Sequence, residues 1–249
     1  MKNRNYKIIY KQVALVTGGS SGIGNAIVKK FIKSGLKVYF TYKNKNNNDL
    51  KKLAILKNKN LIPIKCDMSK TNEINRLKNI LKKEKKIDIL INNVGSVLKR
   101  SSFLNSNEKL WQDVINLNLM SAVTTTRVLI KLLMKSKNGV IINISSVSSR
   151  TGGGGDSLHY ASAKAALNIF TKGLAKELKK IRVIGIAPSA IDTNFQKKYS
   201  SKQRLSKVIK ETPLGRIGSP EEIADLVHFA SSSKASFLSG ETIFITGGR

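Results

Sequence analysis

One cysteine, four prolines and one tryptophan occur in 249 residues, and 15 Asp and Glu stand against 45 Lys and Arg. The lone Cys66 excludes an internal disulfide and a cysteine-rich metal cluster. No segment reaches about eighteen uncharged apolar residues, which argues against a membrane-spanning helix. Met1 to Lys11 is basic but lacks the apolar stretch of a signal peptide. These absences predict a reducing, cytoplasmic setting. Proline is scarce and no Gly/Ser-rich linker interrupts the chain. The expectation is therefore one domain over 12–249, preceded by a basic extension over 1–11.

The formal charge of +30 raises the question of a nucleic-acid partner. The lysines, however, are spread over most expected helices instead of forming one stripe, and no nucleic-acid-binding module accompanies them. Compositional drift explains the excess better than a dedicated nucleic-acid role. The charge would still attract phosphorylated cofactors and acidic partners.

Apolar residues make up 41 % of the chain, enough for a large core. Short apolar runs read as strands at Gln12–Thr17, Leu36–Thr41, Leu61–Lys65, Ile87–Ile91, Gly139–Ile144, Ile181–Ile186 and Thr242–Ile245. Pro63 suits an edge position for the third. Helical periodicity falls at about Gly22–Lys33, Glu108–Met134, Leu158–Leu178 and Glu221–Phe229. Strands alternating with helices, and apolar on both faces, predict a single-domain α/β fold: a Rossmann-type, doubly wound parallel sheet of about seven strands. Ligands of such sheets bind outside the carboxyl ends of the strands.

The run Thr17-Gly18-Gly19-Ser20-Ser21-Gly22-Ile23-Gly24 occupies the first such end. Glycine allows a sharp turn and a close approach of phosphate oxygens to the backbone, and the following helix offers free N–H groups and a partial positive charge. This is a dinucleotide site, and the block from Thr17 to Gly24, including Gly18, Ser20, Ser21, Gly22, Ile23 and Gly24, is its expected wall. An NAD site usually carries Asp or Glu after the second strand. Here no acidic residue stands between Asn25 and Asn48, and Tyr42-Lys43-Asn44-Lys45 takes that place. A cation attracts a 2′-phosphate, so NADP(H) is favoured over NAD(H), with Lys43 as the expected contact and a solvated lysine as the alternative.

Farther along stands Tyr160-Ala161-Ser162-Ala163-Lys164. Tyr160 and Lys164 are four residues apart and share a helical face. An ammonium near a phenol favours the phenolate and draws its pKa toward neutrality, as general acid–base catalysis requires. With Asn92-Asn93-Val94-Gly95, these motifs resemble the short-chain dehydrogenase/reductase family, in order and spacing, from about Val13 to Gly248. The resemblance implies that Asn93, Val94 and Gly95 line the cofactor and that Asp67 contacts the adenine amino group. It also implies that Pro188, Ile191 and Thr193 hold the nicotinamide end. Asn118 matches the asparagine that supports a proton relay, and Ser146, in preference to Ser145, matches the catalytic serine. Tyr160 would then protonate a carbonyl oxygen as hydride reaches its carbon, Ser146 would hold that oxygen, and Lys164 would hold the ribose. No His/Asp/Glu cluster suggests a metal.

The substrate is less defined. One branch of the family reduces 3-oxoacyl groups on acyl carrier protein, a partner that the positive charge would suit. It usually has an arginine three residues beyond the Asn-Asn-x-Gly motif, where this chain has Leu98. The other branch acts on sugars and sugar-derived keto acids. Arg100, Arg150 and the long loop between Ser146 and Tyr160 look more like it, and Arg100 could pair with a substrate carboxylate. The sequence reading leans slightly to this branch, with Arg100, Ser146 and Tyr160 at the substrate. A cofactor-binding regulator without turnover is the reading of another class; the intact Asn118, Ser146, Tyr160 and Lys164 set argues against it. His159 is expected at the surface or on the pocket wall, His228 on a helix surface, and Trp111 in the core or a subunit contact. The family commonly forms homotetramers, and one is expected here.

Overall fold

A computed structural model describes residues 12–44 and 58–249, with Leu53 and Ile55 between them. The basic segment 1–11 lies outside the described residues. Seven strands form one sheet: β1 (Val13–Val16), β2 (Lys37–Tyr42), β3 (Leu61–Lys65), β4 (Ile89–Asn92), β5 (Gly139–Ile144), β6 (Ile181–Pro188) and β7 (Thr242–Ile245). They pair in parallel in the order β3-β2-β1-β4-β5-β6-β7. Pro63, opposite Phe40, lies on the edge strand, where its missing N–H leaves no ladder bond broken.

Successive side chains of a strand point to opposite faces, and both faces are covered. Val16, Phe40, Ile91, Ile142 and Ile186 pack with Ile27, Phe31 and Val227 on one side. Leu15, Tyr39, Leu90, Ile141 and Val183 pack with Leu77, Leu129 and Leu133 on the other. Each such side chain contributes about 1.5–3 kcal/mol on burial. This is why the strands read as continuous apolar runs instead of alternating ones.

The helices are α1 (Gly22–Lys33), α2 (Thr71–Leu81), α3 (Glu108–Ile115), α4 (Ser121–Leu133), α5 (Ser148–Thr151), α6 (Leu158–Glu177), α7 (Asn194–Tyr199), α8 (Lys202–Glu211) and α9 (Pro220–Ser231). The expected helix over 108–134 is present but contains a π-helical turn at Asn116–Met120. That turn buries Asn118, 1 % exposed, in keeping with the tendency of π-bulges to fall at functional sites. Helices α2, α5, α7 and α8 are additions to the sequence reading. α8 buries none of its residues; its apolar stripe of Leu205, Val208 and Ile209 is only partly covered and adds nothing to the core.

β1 sits between β2 and β4, where the chain order reverses. The loops after β1, β4, β5 and β6 therefore open at the topological switch point, and α7 and α8 follow the last of them.

Candidate active site

The turn after β1 is tied from below by side chains of neighbouring strands. Gly18 N–H donates to Thr41 Oγ1 at 2.9 Å. Thr17, 2 % exposed, accepts from the Asn93 N–H at 2.9 Å and donates to the Ile91 carbonyl at 3.3 Å. Asn93 Nδ2 donates to the carbonyls of Thr17 at 2.9 Å and Gly18 at 3.3 Å. Gly18 and Gly22 adopt positive φ (64° and 51°). A Cβ on Gly24 would collide with the Gly18 carbonyl oxygen and stand 2.6 Å from Asn93 Nδ2, so the helix can approach the turn this closely only at glycine. The N-cap Ser21 makes no side-chain capping bond, and the first turn of α1 has no acidic residue. Its N–H groups are left for an anion.

Two adjoining cavities share this turn. The first, about 390 Å³, is lined by Gly18, Ser21, Gly22, Ile23 and Gly24 at one end and by Ser146, Tyr160 and Lys164 farther in. Asn93, Val94 and Gly95 form part of its wall, Pro188, Ile191 and Thr193 another, and Arg100 lies toward the substrate end. The second, about 550 Å³, is bounded by Ser20, Lys43 and Asp67. Thr17 and Asn118 line neither; both act from behind the wall. Asn118 donates to the Ser96 and Val114 carbonyls (2.8 and 2.9 Å) and accepts from the Ser96 N–H at 3.0 Å. A glycine cradle at the helix N-terminus joined to a cavity on each side fits an extended dinucleotide, and the sizes lie in the usual ligand range.

At the adenine end, Lys43 Nζ pairs with Asp67 at 2.9 Å. The two residues that the sequence assigned to different parts of the cofactor are thus in contact. Lys43 and two bonds from Ser69 hold the Asp67 carboxyl below its usual range, against the opposing effect of burial, which is the largest single influence.

At the other end, Lys164 is 2 % exposed. Its Nζ donates to the Ile144 carbonyl at 2.8 Å and lies 5.8 Å from the centre of the Tyr160 ring. Gly95 makes room for it: a Cβ there would stand 2.7 Å from Asn118 Oδ1 and 2.8 Å from Lys164 Nζ. Burial pulls the Lys164 ammonium down to about 7. Burial also pushes the Tyr160 phenol up to about 12, opposed by contact with the Ser146 hydroxyl and by the charge of Arg100. Both Ser145 and Ser146 line the cleft, but the Ser145 hydroxyl donates to the Lys164 carbonyl at 3.2 Å while that of Ser146 meets the Tyr160 phenol.

Some expectations need correction. Arg100 reaches the cleft but is not left open to a substrate carboxylate. Its Nη1 pairs with Asp156 at 2.9 Å and its Nε donates to the Tyr199 carbonyl. Arg150 lies over the Phe244 ring, 4.2 Å from its centre, and does not line the cleft. His159 is 1 % exposed and is neither a surface nor a pocket-wall residue. Its Nε2 is 3.0 Å from the Lys99 carbonyl and 3.3 Å from that of Val97, so it anchors the loop that carries Arg100. His228 is partly buried against Phe31, and Trp111 packs edge-on against His159.

The sequence reading missed four side chains at the substrate end. Phe195 lies 6.2 Å from the Tyr160 ring and 5.1 Å from that of Tyr199. Tyr199 shares a hydrogen bond with Ser96 at 3.1 Å. Arg204 pairs with Asp156 at 3.0 Å. Asp156 ends the glycine run Gly152–Gly155. A signal existed only for Asp156, as the sole acid beside four glycines.

Comparison with known proteins agrees with this architecture. The sequence family described as enoyl-(acyl carrier protein) reductase matches residues 18–249. The 3-oxoacyl-[acyl-carrier-protein] reductase FabG of Buchnera aphidicola is 36 % identical over 243 residues, covering 96 % of this chain and 98 % of that protein. The protein of the same name from Thermotoga maritima is 34 % identical, covering 95 % and 97 %. Among solved structures, the Pseudomonas aeruginosa RhlG/NADP active-site complex superposes with a TM-score of 0.88 at 29 % identity, covering 96 % of each chain. A short-chain dehydrogenase/reductase of Brucella melitensis, titled glucose/ribitol dehydrogenase, gives 0.88 at 27 % identity, covering 96 % of this chain and 97 % of that one.

The fold and the cleft define an NAD(P)-dependent oxidoreductase acting on CH–OH donors. The chain belongs to the short-chain dehydrogenase/reductase family. Among the described residues no helix is long and apolar enough to cross a membrane, and no group of three or more His, Cys, Asp or Glu could hold a metal.

Proposed function

We propose that this protein reduces a 3-oxoacyl thioester, carried on acyl carrier protein, to the 3-hydroxyacyl thioester at the expense of NADPH. The observation that carries the choice is the engagement of Arg100 by Asp156 and Tyr199, which takes away the carboxylate ligand on which the sugar-acid reading leaned. The relatives covered end to end are named for the acyl reaction. The substrate end also offers apolar wall from Val97, Phe195 and Val208, against which an acyl chain can lie. The charge of +30 favours an acidic carrier by long-range attraction.

A nicotinamide held in this cleft would supply the hydride. Tyr160 gives its proton to the carbonyl oxygen, Ser146 fixes that oxygen by a hydrogen bond, and Lys164 holds the ribose side of the cofactor. Asn118 keeps the Ser96 backbone in place, between Gly95 and Val97 of the cleft wall. Gly18, Ser20, Ser21, Gly22, Ile23 and Gly24 would receive the phosphates, and Asn93, Val94 and Gly95 would line the cofactor beside the adenosine ribose. Pro188, Ile191 and Thr193, which line the cavity, would receive the nicotinamide amide. Lys43 would hold a 2′-phosphate in place of its pairing with Asp67, which favours NADP(H) over NAD(H).

A homotetramer is consistent with apolar side chains left at the surface near Asn118 and on the Tyr160 helix, namely Met120 (43 % exposed) and Ile169 (71 %), and with the bare Phe237 near the C-terminus. A cytoplasmic location and the absence of a dedicated nucleic-acid role complete the reading. The test is NADPH oxidation with a 3-oxoacyl thioester and a keto sugar acid side by side. Higher kcat/KM with the thioester is expected; clear preference for the sugar acid would return the chain to the other branch.

A further inference from the structure

Among the described residues, Leu98 in the loop after β4 is the one residue other than glycine with a positive φ, 57°. That region costs an L residue free energy, because its Cβ crowds the following carbonyl. Lys99 N–H donates to the Val97 carbonyl at 2.7 Å and closes a three-residue turn with Leu98 at its centre. A turn of this span with a positive φ in the middle is the rare, strained kind. Such strain persists where neighbours over-determine it, and here they do. Leu98 N–H donates to Ser96 Oγ at 3.0 Å, and Asn118 holds the Ser96 backbone on both sides. His159, buried in α6, sets Nε2 3.3 Å from the Val97 carbonyl and 3.0 Å from that of Lys99. Carbonyls only accept, so Nε2 carries the proton and lies between the two.

The side chain presented by this turn adds nothing to the core. Leu98 is 38 % exposed and lines the cavity of about 550 Å³ beside the glycine turn. Its neighbour Val97, 1 % exposed, lines the other cavity, so the turn stands in the wall between the two. We propose that Leu98 is a cofactor-contact residue, whose side chain would pack on the adenosine half of the dinucleotide, and that His159 is the positioning residue that keeps the turn in the shape this contact needs. The proposal rests on the reading of the cavity beside Lys43 and Asp67 as the adenosine site.

The cavity fits that group. Gly18, Ser20 and Ser21 border it at the phosphate end, and Lys43 and Asp67 border it beyond β2 and β3, outside the carboxyl ends of the strands where ligands of such sheets bind. Leu98 joins Met68, Val94 and Leu117 as its apolar wall, the kind of surface on which a flat ring packs. A leucine held in a strained turn is a cost in the free protein that a ligand contact can offset. If the turn served the fold alone, glycine at 98 would remove the cost with no loss of binding; if Leu98 touches the cofactor, glycine removes the cost and the contact together.

The test is calorimetric binding of NADPH and of ADP-ribose to the full chain, with no substrate present. Leu98→Ala removes the side chain beyond Cβ and is expected to raise Kd roughly three- to tenfold for both ligands, since both carry the adenosine half. Leu98→Gly is expected to raise Kd at least as much while its Tm is no lower than the parent's, which separates the contact from stability. His159→Ala should weaken binding of both ligands through the turn, and His159→Gln, whose amide N–H can stand in for Nε2, should restore it in part. Parental Kd in folded Leu98→Ala and Leu98→Gly proteins would overturn the proposal, and so would a loss seen with NADPH but not with ADP-ribose. ADP-ribose has neither the 2′-phosphate nor the nicotinamide. A mistaken choice of NADP(H) or of the acyl thioester would therefore leave this result intact and appear only in the comparison of NADPH with NADH or in the turnover assay.

Discussion

Lys164 and Tyr160 share a face of α6, yet the ammonium of Lys164 gives its hydrogen bond to the Ile144 carbonyl at 2.8 Å and stands 5.8 Å from the centre of the phenol ring. The lysine is fastened to the end of β5 and brought to the cleft wall, where Gly95 alone leaves it room. Its position is set by the sheet as much as by the helix.

Stability of the cofactor-free protein should rise with pH just above neutrality. Lys164 has a folded pKa of about 7 against an ordinary value of 10.5. Between these values the unfolded chain holds a proton that the folded chain lacks, so unfolding becomes harder as pH rises, by at most about 1.4 kcal/mol per unit. Cys66 acts in the opposite sense from about pH 9, because burial pushes its thiol up to about 11 and that contribution is lost as pH climbs through this range. The window for Lys164 is therefore pH 7 to 9. Thermal melting across it should show a rise in the parent that is missing in Lys164→Met.

Tyr160→Phe should lower kcat by about 10² to 10⁴, the usual worth of a positioned general acid. NADPH affinity, measured by fluorescence titration, should stay within a few-fold of the parent. Retained turnover would remove Tyr160 from the proton step.

Gly24→Ala should abolish cofactor binding. The added methyl collides with the Gly18 carbonyl and crowds Asn93 Nδ2, and both belong to backbone or to a side chain that is itself hydrogen-bonded. Neither can yield without opening the turn. Calorimetric binding of NADPH by a folded Gly24→Ala protein at parental affinity would contradict this account of the cradle.

Lys43→Ala should raise the KM for NADPH roughly three- to tenfold, the range expected for a partly exposed charge-assisted contact, and leave the KM for NADH nearly unchanged. Asp67→Asn should lower the KM for NADPH, because it frees Lys43 from the 2.9 Å pair. Equal effects on both cofactors would show that Lys43 is not the 2′-phosphate ligand.

The sequence by itself determined the strands, because a parallel strand covered on both faces must be an apolar run, as Leu15–Val16 and Ile141–Ile142 are. It determined the glycine turn and the Tyr160–Lys164 pair, because local spacing fixes both on a strand–helix junction and on one helical face. It placed Pro63 on an edge, since an internal strand needs the missing N–H. The tertiary structure alone decided what depends on segments meeting from far apart. Arg100 and Asp156 are 56 positions distant, and Asp156 and Arg204 are 48; no local pattern records such a partner. The same holds for His159, whose burial follows from the loop that folds onto it, for the pairing of Lys43 with Asp67, and for α8, whose short stripe of Leu205, Val208 and Ile209 stays outside the core. Short-range periodicity fixes elements and local motifs, whereas the charge state and engagement of a side chain at the cleft are settled only when the packing brings its neighbours to it.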